Sequence, residues 1–187
     1  VPRKIVVTSS DDAISAMIKS SNRQTAVKPE ELEALSSFQK RLEDYYKIFD
    51  GDKILYYERR SRQYAQIAGI EKTRIITIPY QIRYFAAMFL DEPHRAGRYY
   101  STLLKQIGGQ VFGTDQMFAP YYTSGYAAYK LDWLFRNTPF DKRFRVFRYH
   151  LLMGFRYLAG EKNIPPFNAK AIDSICNRLN EKLWSAD

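Results

Sequence analysis

Cysteine is almost absent from this chain: Cys176 is the one thiol in 187 residues. A lone thiol cannot close an internal disulfide, and without a second thiol or a histidine cluster beside it there is no metal-ligand spacing. This fits a reducing, cytoplasmic setting. No apolar run approaches the ~20 residues needed to span a bilayer, so no membrane partner is expected. The two histidines, His94 and His150, stand far apart in sequence and on their own support neither a metal site nor an acid–base pair. Also missing are a Gly-rich phosphate loop, a nucleophile elbow, an internal repeat and any low-complexity tract. No cofactor, no metal and no catalytic residue is therefore assigned. The first residues, VPRKIVV, include neither an initiator Met nor the pattern of a signal peptide, so the chain reads as a portion of something longer.

Apolar and cationic side chains are abundant. Hydrophobic residues make up 45% and aromatic residues 16% of the chain, which is too rich for disorder and enough for one substantial core, so a single domain over 1–187 is expected. The opening KIVV at 4–7 predicts a short strand, and Ser10 or Asp11 is placed to cap a helix carrying Ile14, Met17 and Ile18 on one face. Pro29 and three following glutamates predict the start of a long helix whose Leu32, Leu35, Phe38, Leu42, Tyr45 and Phe49 share a face, ended by Asp50-Gly51. KILYYER and TRIITI have β propensity and predict a small hairpin or edge pair. Beyond Pro79 the pattern is helical, with Ile78, Ile82, Phe85 and Phe89 along one side of the first helix. The fold class read from this is mainly α with a minor β element (α+β): a mixed part over 1–78 and a helical part over 79–187.

Charge is unevenly distributed. Of the net +9, residues 94–160 supply seven positive charges, with 10 Lys or Arg against 3 Asp or Glu. A helix over 142–159 would put Phe144, Phe147, Leu151, Phe155 and Leu158 on one side. Lys142, Arg145, Arg148, Tyr149 and Arg156 fall on the other, interrupted by Leu152. Such a face is either ordinary solvated surface or a footprint for phosphates, in which cations neutralise charge and Tyr149 stacks a base. Tyr122, Tyr126, Tyr129 and Trp133, at i, i+4, i+7 and i+11, make either a stacking platform or a helix-packing stripe. In DEPHRAGR, Asp91, Glu92 and Pro93 read as punctuation at a helix start.

A nuclease reading of DGDKILYYERR fails on geometry. Asp52 and Glu58 stand at opposite ends of one strand, ~17 Å apart, and Arg60 occupies the place where such chemistry needs a lysine.

Taken together and in order, IKSSNRQTAV, FQKRLEDYY, LYYERRSRQY and FLDEPHRAGRYY resemble the abortive-infection AIPR family of bacterial phage-resistance proteins, over residues 4 to about 136. The resemblance implies a cytoplasmic bacterial protein of phage defence, with any catalytic centre in sequence outside this chain. It carries over positions only: Asn22 to Thr25, Tyr57 to Arg60, Gln63, Asp91, Glu92 and His94. If the Asn22 loop packs near Tyr57 to Arg60, amide, phenol and guanidinium groups converge on a pocket suited to a phosphate or a base edge. The candidate phosphate or nucleic-acid contacts are then Asn22, Arg23, Gln24, Tyr57, Arg59, Arg60, Arg62, Arg145, Arg148, Tyr149 and Arg156. The function expected is a non-catalytic module that binds nucleic acid or relays its detection to an effector. Two alternatives remain: a protein-interaction or self-association module rich in aromatic and arginine surface, and part of a metal-dependent nuclease.

Overall fold

A computed structural model of the protein describes residues 36–98 and 100–185. The strand expected at 4–7, the helix expected after Ser10 and the Asn22 loop lie outside the described residues. The first described helix, α1 (Ser37–Tyr46), begins because Ser36 is extended and its hydroxyl accepts the Gln39 amide at 3.2 Å. The part of the expected helix before Ser36, with Leu32 and Leu35, lies outside the described residues, and α1 ends at Tyr46, short of the expected Asp50-Gly51. Phe38, Leu42 and Tyr46 recur at i, i+4 and i+8 and are all buried.

Strands β1 (Tyr56–Glu58) and β2 (Ile75–Thr77) pair in register Tyr56 with Ile75, Tyr57 with Ile76 and Glu58 with Thr77. The pairing is parallel, which corrects the expected hairpin. The segment from Arg59 to Arg74 is long enough to carry the chain back to the start of the sheet, as a parallel pair requires. One alternating face, Tyr57 with Ile76, goes into the core.

Helix α2 (Ile78–Phe89) follows β2 directly, with Pro79 in its first turn where no amide hydrogen is needed. The expected stripe of Ile78, Ile82, Phe85 and Phe89 is buried, and Tyr84, Ala86, Ala87 and Met88 are buried too. The helix is enclosed on most sides because α5 (Ala119–Asn137) and α6 (Arg148–Leu158) pack against it. Short helices α3 (Pro93–Ala96) and α4 (Tyr100–Ile107) fold over its end, and α7 (Lys170–Trp184) lies along α5. α7 presents Ile172, Cys176, Leu179 and Leu183 to the interior, a clean seven-residue alternation of threes and fours.

Three elements are tied together by a buried polar network. The Tyr46 hydroxyl of α1 donates to Gln81 Oε1 of α2 at 2.5 Å, and Gln81 Nε2 donates to the Tyr121 carbonyl of α5 at 2.8 Å. Burying these groups costs little because each finds a partner.

The segment 142–159 departs from expectation. It is not one helix: Lys142–Phe147 is a 3-10 turn capped by Asp141, and only Arg148–Leu158 is α-helical. A 3-10 turn advances three residues per revolution, so the apolar phase is not continuous across Phe147. The inward face is also the opposite one. Tyr149, Leu152 and Arg156 are buried, whereas Phe144, Phe147 and Leu158 are exposed, Leu158 to 91%.

Candidate functional site

The aromatic stripe on α5 builds one wall of a cleft. Tyr122, Tyr126 and Tyr129 are buried as rings, while Trp133, one turn further on, is half-buried at the surface. Two phenol tips reach the turn before β1. Tyr122 donates to the Lys53 carbonyl at 2.6 Å and Tyr126 to the Asp52 carbonyl at 3.4 Å. Gly51, at φ +55°, allows the backbone to make that turn, in a conformation that side chains with a Cβ rarely adopt. Arg74, just ahead of β2, clamps the same turn by donating to the carbonyls of Asp52 and Ile54, both at 2.8 Å. Its guanidinium lies 4.5 Å over the Tyr129 ring. Trp184, at the end of α7, closes the other side, with the Lys53 amine 4.0 Å above its ring. Lys130 sits 5.7 Å from the Trp133 ring. The cleft encloses about 440 Å³, with Asp50 and Asp52 also on its lining.

Burial pushes the Tyr122 and Tyr129 phenols up from their ordinary range, and Arg74 beside Tyr129 offsets that rise only in part. Both therefore stay neutral at physiological pH. The ring faces already hold cations of the chain itself: Lys53 on Trp184, Arg74 on Tyr129 and Lys130 near Trp133. A cationic guest, the usual occupant of an aromatic cage, would meet like charge there. An anionic nucleotide instead meets these cations with its phosphate, and the partly exposed rings of Trp133 and Trp184 offer its base an edge to stack on. The carboxylates of Asp50 and Asp52 can accept from amino groups on such a ring.

The residues singled out in sequence lie elsewhere. Tyr57 is buried and its phenol donates to Gln39 Oε1. Arg59 is buried and paired with Glu43 at 2.9 Å, and Gln63 reaches the other oxygen of the same carboxylate. The Arg60 amide is held by Gln63 Oε1 at 3.1 Å, and Arg62 is exposed in a left-handed turn at φ 59°. The polar groups of this strand and loop thus converge on Glu43 of α1. Asn22, Arg23 and Gln24 lie outside the described residues. On the 142–159 segment, Arg145 is exposed, Arg148 is paired with Asp132, and Tyr149 is buried beside Tyr84 with ring centroids 6.3 Å apart. Arg156 is fully buried and paired with Asp91. The predicted basic face is not a continuous outward surface. Of the two readings of the Tyr122, Tyr126, Tyr129 and Trp133 stripe, the burial of its three tyrosines fits helix packing, with Trp133 at the surface; Lys53, Arg74, Lys130 and Trp184 carry no such signal in the sequence. Lys53, Arg74 and Trp184 come from three separate segments, and no local period connects them.

The family model for AIPR proteins matches residues 1–186. The chain belongs to the AIPR family. The resemblance read from its motifs is thereby carried from residues 4–136 to nearly the whole sequence, and the abortive-infection family points to a role in phage defence. No curated protein and no solved structure matches the chain. In this AIPR chain the cleft residues, from Asp50 to Trp184, all fall inside the matched span. Among the described residues no group of His, Cys, Asp and Glu could hold a metal ion. No described helix is long and apolar enough to cross a membrane.

Proposed function

We propose that this AIPR chain is a recognition module of phage defence that binds single-stranded nucleic acid in the Trp133–Trp184 cleft and relays its detection to an effector. The observation that carries the reading is the alternation of ring and cation around one opening: Trp184 under Lys53, Tyr129 under Arg74, and Trp133 beside Lys130. Stacking on aromatic side chains tolerates any base, and cations along the same groove follow the phosphates. The reading differs from the basic-helix footprint expected from sequence, since Arg148 and Arg156 are committed to carboxylates. Both tryptophans of the chain line the cleft, so intrinsic fluorescence reports on it selectively. Titration with a short oligothymidylate should quench that fluorescence saturably, and the effect should weaken with added salt. An unchanged spectrum at low salt, with binding also absent by anisotropy of a labelled oligonucleotide, would remove the reading.

A further inference from the structure

A second surface, which shares Lys130 and Trp133 with the cleft, lies between α5 and the side of α6 that carries Leu151 and Phe155. Leu151, Phe155 and Leu158 recur at i, i+4 and i+7 on α6, and Phe147 stands just before its first turn. Leu151 and Phe155 face Leu131 and Leu134 of α5 across an apolar groove of about 190 Å³, floored by Leu152 and Leu183. The apolar surface continues beyond the groove's helices. Phe140 packs edge-on against Phe135 and tilted against Phe144, with centroids 5.0 and 5.8 Å apart, and Val146 is 77% exposed. An apolar groove between two helices, with exposed apolar side chains such as Leu158 on the same helix, marks an interaction site.

Charge selects the partner. Residues 127–158 carry seven Lys or Arg against two Asp, and both aspartates are already used: Asp132 by Arg148 and Asp141 by Arg143. Lys130 and Lys182 stand on the groove wall, and Lys142 and Arg145 are exposed on the adjoining 3-10 turn. A trough between two helices, apolar along its floor and cationic along its rim, takes a third helix with an apolar stripe and acidic flanks. A bilayer offers a plane and would leave the recess between Leu134 and Leu151 unfilled. We infer that the α5–α6 groove docks an acidic amphipathic helix of a partner protein, inserting apolar residues at i, i+4 and i+7 between α5 and α6.

The test uses an 18-residue synthetic helix with leucines on one face and glutamates elsewhere, titrated against the whole chain. A matched peptide with lysine in place of glutamate, anionic phospholipid vesicles, and sedimentation of the protein alone complete the set. The Leu/Glu helix should bind saturably, and the Leu/Lys helix at least tenfold more weakly. Leu134→Glu should weaken the Leu/Glu helix at least tenfold. Lys182→Glu, at an exposed position whose loss leaves the core intact, should narrow the preference between the two peptides. Melting curves establish that each variant is folded. The inference is overturned by any of four results: no saturable binding of the acidic helix, equal binding of both peptides, vesicle binding that Leu134→Glu abolishes, or a dimer that the same substitution dissociates.

Discussion

Arg156 of α6 and Asp91, two residues past the end of α2, form an ion pair in which the guanidinium is fully buried while the carboxylate is 46% exposed. The guanidinium also donates to the carbonyls of Glu161 at 2.7 Å and Lys162 at 3.0 Å, so it closes the turn that follows its own helix. Asp91 is held at φ +54°, a left-handed conformation that asparagine tolerates as well as aspartate. Asp91→Asn therefore removes the charge and leaves the backbone at ease. The buried cation then has no counterion, and the expected loss is ~3–5 kcal/mol of unfolding free energy. Arg156→Met should be less damaging, because the exposed Asp91 rehydrates and the methionine stem fills the apolar part of the site. Denaturant titration of both variants decides the order, and a smaller loss for Asp91→Asn would refute this account.

That pair also explains what could be read in advance and what could not. The stripe of Ile78, Ile82, Phe85 and Phe89 was legible because a core helix announces itself by period alone, and the β-branched residues of β2 by their stiffness. On α6 the period was equally clear and its meaning inverted. Leu151, Phe155 and Leu158 form the more apolar face, yet the fully buried face is the one holding Arg156, because Asp91, 65 residues away in sequence, supplies the counter-charge. No local pattern contains that information. The same holds for the hairpin expected from two β-rich runs, since parallel pairing depends on how far the intervening residues travel. In the cleft, the aromatic wall on α5 was visible as a spacing, while Lys53, Arg74 and Trp184 are assembled only by tertiary packing.

Gly125 of α5 is required by Tyr46. A methyl group at position 125 would come within 2.8 Å of the Tyr46 hydroxyl oxygen, which is fixed by its bond to Gln81. Gly125→Ala gains ~1 kcal/mol of helix propensity but forces apart a packed contact costing ~1–3 kcal/mol, so a net loss of about 1 kcal/mol is expected. Tyr46→Phe deletes the obstructing oxygen. In that background the Gly125→Ala penalty should vanish or change sign, and a double-mutant cycle by chemical denaturation measures it. Additive losses would show that the phenol is not the obstacle.

Alkaline pH should unfold the protein through groups whose folded state holds its proton too tightly. Burial pushes the Cys176 thiol up from about 9 to about 12, and burial does the same for the Tyr45 and Tyr64 phenols, from 10 to about 12. Each raised value favours the fold fully below the unfolded pKa, and that contribution is lost as pH climbs through the folded one. Stability should be level up to about pH 9 and fall steeply toward pH 12. Denaturation midpoints across that range, with tyrosinate absorbance, test the slope. At pH 8 Cys176 should resist thiol reagents until denaturant is added, and rapid labelling of the native protein would contradict its burial.

Salt separates the cleft from the rest of the positive surface. With Arg74 held by the Asp52 and Ile54 carbonyls and by Glu71, Lys53 and Lys130 are the cations that meet phosphates, and the logarithm of affinity for a single strand should fall with the logarithm of salt at a slope of ~ −1.4. Lys53→Gln should flatten that slope by ~0.7 and lower affinity at every salt concentration, since it removes one contact. Trp133→Ala should cost ~1–3 kcal/mol of binding and leave the slope unchanged, because stacking releases no counterions. Arg145→Gln, on the 3-10 turn, should alter neither quantity. A slope that responds to Arg145 and ignores Lys53 would move the nucleic-acid contact away from the cleft, onto the surface before α6, because only residues that neutralise phosphate can change it.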